Sequence, residues 1–330
     1  MEFKIQFAIQ ASEKKLEMGE KVFLTGSCFS DHIGNFLSDY RFPICSNPNG
    51  TIYNPVSIFS SLKSFLLKEN HPAEDLFEAN GSWFSRQCHT KWSADSKTEL
   101  EEKLNEMYVS SAEFIRQSSF LFITLGSAFV YELKETKQIV ANCHRLPNTL
   151  FTKRLLSVDE IADSFSELCV ALKTLNPKPK VVFTVSPVKH LRDGVEENNL
   201  SKSTLLLAIR KIRDKYPAVE YFPSFEIVND ELRDYRFYES DFAHPNKMAI
   251  DYVIERFKQT YMSERASSFV SDYSEIRAAM NHRVVQQSSN SHRNFLRSFY
   301  QRTQAMKVKY PEMDFSRELE YFNPDNLLAV

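Results

Sequence analysis

Glycine is scarce in this chain, with seven in 330 residues, so each one marks a tight turn or a close backbone approach. Long apolar runs are missing as well. No stretch reaches the about 18 apolar residues of a membrane-spanning helix, and the segment from Met1 to Gln6 has no apolar signal core. Neither sign of charge dominates: 41 Lys and Arg against 43 Asp and Glu leave a net charge of -2. That balance makes no case for nucleic acid or a membrane surface as partner. Five cysteines (Cys28, Cys45, Cys88, Cys143 and Cys169) include no CxxC pair and no framework spacing. This excludes a disulfide scaffold and leads us to expect free thiols in a reducing cytoplasm. Cys88-His89 and Cys143-His144 place Cys directly beside His, which is not the ligand spacing of a structural zinc site, so no metal is expected.

What remains is a globular composition, 42% hydrophobic and 25% charged, with material for one large domain or two ordinary ones. Short β-branched or aromatic runs at Val22–Thr25, Phe120–Leu125 and Val181–Val185 read as buried parallel strands, with shorter ones at 221–223 and 41–45. Helical spacing falls at 31–39, 55–68, 97–116, 158–175, 202–216 and 246–260. This alternation predicts an open α/β sheet with helices on both faces. Residues 70–95 and 132–156 read as irregular insertions on that frame, placed to form the rim of a site. From about Ala266 the pattern becomes polar helix, and residues 281–310 carry Arg283, Arg293, Arg297, Arg302, Lys307 and Lys309 with no acidic residue. Such a run is ordinarily a solvated face, and an anionic partner is the alternative.

Two short motifs carry the chemistry. Gly26-Ser27-Cys28-Phe29 ends an apolar strand and opens a helix; Asp241-Phe242-Ala243-His244-Pro245 precedes a helix near the end of the α/β pattern. Reactive groups in open α/β sheets gather at the carboxyl ends of the strands, where Gly26, Gly126 and Ser186 all fall. Cys28 at a helix N-terminus is expected to have a lowered thiol pKa, and backbone N–H groups at the same turn to help hold an oxyanion. Asp241 and His244, three residues apart, let one loop present an imidazole oriented by a carboxylate, the arrangement needed for acyl transfer.

These residues resemble the GSCFA family, which groups with the SGNH (GDSL-like) hydrolases. Four blocks match in order: residues 22–30 (VFLTGSCFS), 47–55 (NPNGTIYNP), 123–128 (ITLGSA) and 241–245 (DFAHP). Residues 142–144, 185–188 and 199–202 are similar to family segments too. With Gly26 on the family glycine, Ser27 takes the aspartate position and Cys28 the nucleophile position; Ser27 as nucleophile requires a one-residue shift that loses the glycine. Both stay candidates. The resemblance implies Gly50 as an oxyanion donor and puts Gly126 in the third block, where Ala128 replaces the expected asparagine. Asn54 and Asn142 are candidate substitutes for that amide, and His144 a candidate polar lining residue.

The resemblance covers roughly residues 1–262 and implies a three-layer α/β/α sandwich with a mostly parallel, flavodoxin-like sheet. Residues 263–330 then form a C-terminal helical extension. The expected activity is an esterase or deacylase acting on a small or carbohydrate-linked acyl ester, without a cofactor. An O-acyltransferase using the same site, or a non-catalytic binding module on a degenerate hydrolase fold, are the alternatives.

Overall fold

The computed structural model describes residues 5–67, 71–175, 177–282 and 289–324. In chain order the strands are β1 (Lys21–Gly26), β2 (Ile44–Ser46), β3 (Leu76–Ala79), β4 (Ser82–Ser85), β5 (Ser93–Ala94), β6 (Ser118–Leu125), β7 (Phe129–Leu133), β8 (Ile139–Val140), β9 (Phe151–Leu155), β10 (Lys180–Val185) and β11 (Glu220–Tyr221). The helices are α1 (Phe29–Asp39), α2 (Pro55–Leu67), α3 (Lys97–Arg116), α4 (Val158–Leu172), α5 (Val195–Lys215), α6 (Ser224–Glu226), α7 (Lys247–Tyr261), α8 (Glu264–Met280), α9 (Asn290–Lys309) and α10 (Ser316–Tyr321).

The central sheet has five strands in the order β11-β10-β6-β1-β2, and every neighbouring pair is parallel. Counting only these strands, the order is 2-1-3-4-5, the flavodoxin-like arrangement, whose switch point lies between β1 and β6. Strand residues alternate between two cores. Phe23, Leu121, Ile123 and Phe183 pack with α2, α3, α4 and α5, while Val22, Leu24, Phe120, Phe122 and Val182 pack with α1 and α7. A sheet buried on both faces explains why its strands read as continuous apolar runs.

The insertions are not irregular. Residues 76–94 form an antiparallel three-stranded sheet and residues 129–155 form another. Their strands are two to five residues long, too short to leave an alternating signature in the sequence. Helix α5 begins at Val195, about two turns before the apolar spacing suggests, because Gly194 at φ +93 sets its start. The last three helices enclose a core of their own around Phe269, Tyr273, Met306, Tyr310, Phe315 and Phe322, so the tail is more than a polar helix. It docks on α1: the buried Glu318 accepts hydrogen bonds from the Arg41 guanidinium and, at 2.5 Å, from the Tyr273 hydroxyl, and Arg277 pairs with Asp39. Of the basic run at 281–310, residues 283–288 lie outside the described residues. Among the described residues no helix is long and apolar enough to cross a membrane.

Candidate active site

The turn after β1 is held by backbone and amide hydrogen bonds. Gly26 has φ +127, and an added Cβ would sit 2.0 Å from the Thr124 carbonyl oxygen, so only glycine fits beside β6. Its N–H donates to Asn47 Oδ1 (2.8 Å), and Asn47 Nδ2 donates to Asp31 Oδ1 on α1 (2.9 Å). Ser27 N–H donates to the Thr124 carbonyl (3.0 Å). Buried Ser30 then locks the first turn of α1 by donating to Thr124 Oγ1 (2.7 Å). Strand, turn and helix are therefore fixed to one another around residues 27 and 28.

The two nucleophile candidates differ in access. Ser27 is buried at 1% exposure, and its Oγ accepts the Phe29 N–H (3.3 Å). Cys28, at the N-cap of α1, is partly exposed. Its thiol is nevertheless not acidic, contrary to the expectation from helix position. Burial first, then the Asp31 carboxylate, push its pKa above the ordinary value. The N–H groups of Cys28 and Phe29 and the charge of Lys202 pull the other way and lose. A thiol in this setting needs a base to become a nucleophile.

At the end of β6, Gly126 and Ser127 donate their N–H groups to the Tyr53 carbonyl (2.9 and 3.0 Å). A Cβ on Gly126 would lie 2.9 Å from the Tyr53 ring and 3.2 Å from Ser27 Cβ, which places Gly126 against the turn after β1. Ala128 is fully buried, and its N–H donates to Ser201 Oγ (2.8 Å). It belongs to the core, with no side-chain donor to offer. Lys202 reaches from α5 to the same strand ends and donates to the Gly126 and Ser186 carbonyls (2.7 and 2.8 Å).

The Asp241–His244 loop is self-bracing. Asp241 Oδ1 accepts the N–H groups of Ala243 and His244 (2.9 and 3.0 Å), while Oδ2 accepts His244 Nδ1–H at 2.6 Å. Those hydrogen bonds hold the Asp241 carboxyl down at about 2, so it is ionised across the working pH range. With Nδ1 donating to Asp241, Nε2 is the ring's acceptor atom. The loop is tied to the end of β10, since Lys189 N–H donates to the Ala243 carbonyl (3.1 Å). The charge of His244 acts on His32 of α1 and on His190, and the His190 ring meets Tyr53 edge-on at 5.2 Å. His244 thus lies within electrostatic reach of His32 on α1 and of His190 after β10. It is half-exposed, as are the nearby rings of Tyr53 (41%) and Phe242 (55%).

The structure gives other work to four residues expected at the site. Gly50 N–H closes a turn onto the Asn47 carbonyl (2.8 Å), so this donor is engaged. Asn54 Oδ1 accepts the Ser57 N–H (2.8 Å) and so caps α2. Asn142 Oδ1 accepts the His144 N–H (2.8 Å). Buried His144 bonds through Nε2–H to the Ser85 carbonyl (2.7 Å) and through Nδ1 to Thr90 Oγ1 (3.3 Å), with Phe77 and Phe84 against its ring. It braces the small sheets, and its burial lowers its pKa. A cavity of about 730 Å³ lies elsewhere, between the N-terminal segment and β11, lined by Phe7, Lys180, Arg213, Tyr221, Glu226 and Tyr261.

Asn47 and Lys202 lie within the family-like segments 47–55 and 199–202, but the motifs alone assign them no role. A signal for Lys202 exists: it shares helical spacing with Leu205, Ile209 and Ile212, all buried, so a lysine stands on the apolar face of α5. The GSCFA family model matches residues 21–257, and the model "GSCFA domain protein, C-terminal domain" matches residues 273–324. No curated protein matches the chain. Among solved structures, a carbohydrate esterase family 3 protein from Talaromyces cellulolyticus is similar at 10% identity, over 77% of this chain and 99% of that one, with a TM-score of 0.35. On the family match over most of its length, the chain belongs to the GSCFA family.

Proposed function

We propose that the protein is an SGNH-type ester hydrolase in which Cys28 is the nucleophile, His244 the general base and acid, and Asp241 the residue that orients His244. The observation that carries this reading is the 2.6 Å bond from His244 Nδ1 to Asp241, which leaves Nε2 as the ring atom that accepts a proton. The Cys28 thiol proton passes to His244 Nε2, and the sulfur bonds to the ester carbonyl carbon. Collapse of the tetrahedral intermediate breaks the carbon–oxygen bond, and His244 returns the proton to the departing alkoxide. Water, deprotonated in turn by His244, attacks the thioester; the carbon–sulfur bond breaks, and sulfur regains a proton. A sugar hydroxyl in place of that water makes the same site an O-acyltransferase. The substrate is a small or carbohydrate-linked acyl ester, and the exposed rings of Tyr53 and Phe242 offer it a surface. No step calls on a cofactor.

One observation favours a second reading. Ala128 offers no amide, and the Gly50 and Gly126 N–H groups are engaged, as befits a binding module on a degenerate hydrolase fold. Turnover of short acyl esters by His244→Ala and Asp241→Asn variants separates the two. The hydrolase reading expects losses of about 10²–10⁴ with the fold intact. Unchanged turnover in His244→Ala would sink it.

A further inference from the structure

Lys202 is 1% exposed, and among the described residues it forms no ion pair with a carboxylate. Its ammonium donates to the Gly126 and Ser186 carbonyls, the backbone atoms that follow β6 and β10. Two neutral acceptors do not offset the burial of a full charge, and an apolar side chain of similar volume would fill the space without that cost. The placement is not arbitrary. Gly126 packs against Ser27 and Tyr53, so the ammonium sits beneath the turn that presents Cys28.

We propose that Lys202 is a positioning residue that balances the charge of the nucleophile: it holds the two strand ends that floor the site and stabilises the anion formed at Cys28 sulfur. When the thiol gives up its proton to His244, the buried ammonium gains a counter-charge, and the site is left with a compensated pair. Burial brings Lys202 down to about 7, and the Cys28 anion acts in the opposite direction. Charging one group therefore favours charging the other. The other titratable neighbours are Asp31 of α1, which opposes the thiolate, Tyr53 ahead of α2, and His190 after β10, whose own protonation Lys202 disfavours.

This inference rests on Cys28 as the nucleophile, but its test reads titration rather than turnover, so the two can fail separately. Peptide-resolved iodoacetamide labelling of Cys28 across pH is measured in the wild type and in Lys202→Gln, Lys202→Met and Lys202→Arg. The neutral variants are expected to move the labelling midpoint up by about one pH unit or more, slowing labelling about tenfold at pH 8, while the arginine variant stays close to wild type. A Lys202→Gln protein that folds and labels with the wild-type midpoint overturns the proposal. Should the neutral variants not fold, the reciprocal measurement decides. In ¹³Cε-lysine-labelled protein, the Lys202 titration is expected to move to lower pH in Cys28→Ala, and identical titrations in the two proteins would overturn the coupling.

Discussion

Asn47 is the amide on which the turn after β1 depends, and replacing it with alanine has a calculable cost. Its Oδ1 is the partner of the Gly26 N–H and its Nδ2 the partner of Asp31, in a site 3% exposed. Leaving the buried Gly26 N–H without an acceptor costs about 1–3 kcal/mol. Losing the charge-assisted bond to Asp31, which keeps its 3.0 Å bond from Ser46 Oγ, adds about 1 kcal/mol. Asn47 also has φ +44, where alanine is about 1 kcal/mol less favourable than asparagine or glycine. Together Asn47→Ala should lose about 3–5 kcal/mol, and Asn47→Gly about 1 kcal/mol less because it keeps the left-handed backbone. Urea unfolding of the α/β module with unchanged m-value is the assay. Esterase turnover should fall in step, since Gly26 positions residues 27 and 28. A loss under about 1 kcal/mol in Asn47→Ala would refute the reasoning, as would equal stability of the alanine and glycine variants.

Iodoacetamide labelling of Cys28 in the wild type should rise about tenfold per pH unit from neutrality to about pH 9, because burial and Asp31 raise its pKa; a plateau below pH 8 would contradict this. Cys169, buried and pushed up to about 11, should label more slowly throughout. Gly126→Ala should cost about 1–3 kcal/mol and most of the turnover, because the new methyl drives Tyr53 and Ser27 apart; retention of full activity would show that Gly126 does not shape the site. His144→Ala should lower stability by about 2–4 kcal/mol in urea yet leave turnover near wild type, and the reverse pattern would restore His144 to the site.

The parallel sheet was legible because its strands are buried on both faces: Val22–Thr25 and Val181–Val185 leave little choice of reading. The small antiparallel sheets were not, because β5 and β8 are two residues each, and the first sheet is braced by a distant residue, His144, against Ser85, Phe77 and Phe84. The Asp241–His244 pairing was legible because it is local, within one turn of chain. The raised pKa of Cys28 was not, since it depends on burial and on how close Asp31 and Lys202 come in space. Helix position fixes only the weaker contribution. Gly50 and Asn54 illustrate the same limit: a motif shows that a donor is present, and only the fold shows whether its hydrogen is already engaged.

The most direct test of Cys28 as nucleophile is trapping the acyl-enzyme. The protein is mixed with 4-nitrophenyl acetate, quenched in acid within the first turnover, digested, and the peptide carrying Ser27 and Cys28 weighed by mass spectrometry. The expected result is an acetyl group on that peptide, removed by neutral hydroxylamine as a thioester is, absent in Cys28→Ala and accumulating in His244→Ala only at alkaline pH. Acetylation that persists on Ser27 in Cys28→Ala, or ester turnover with no acyl group on this peptide, would contradict it.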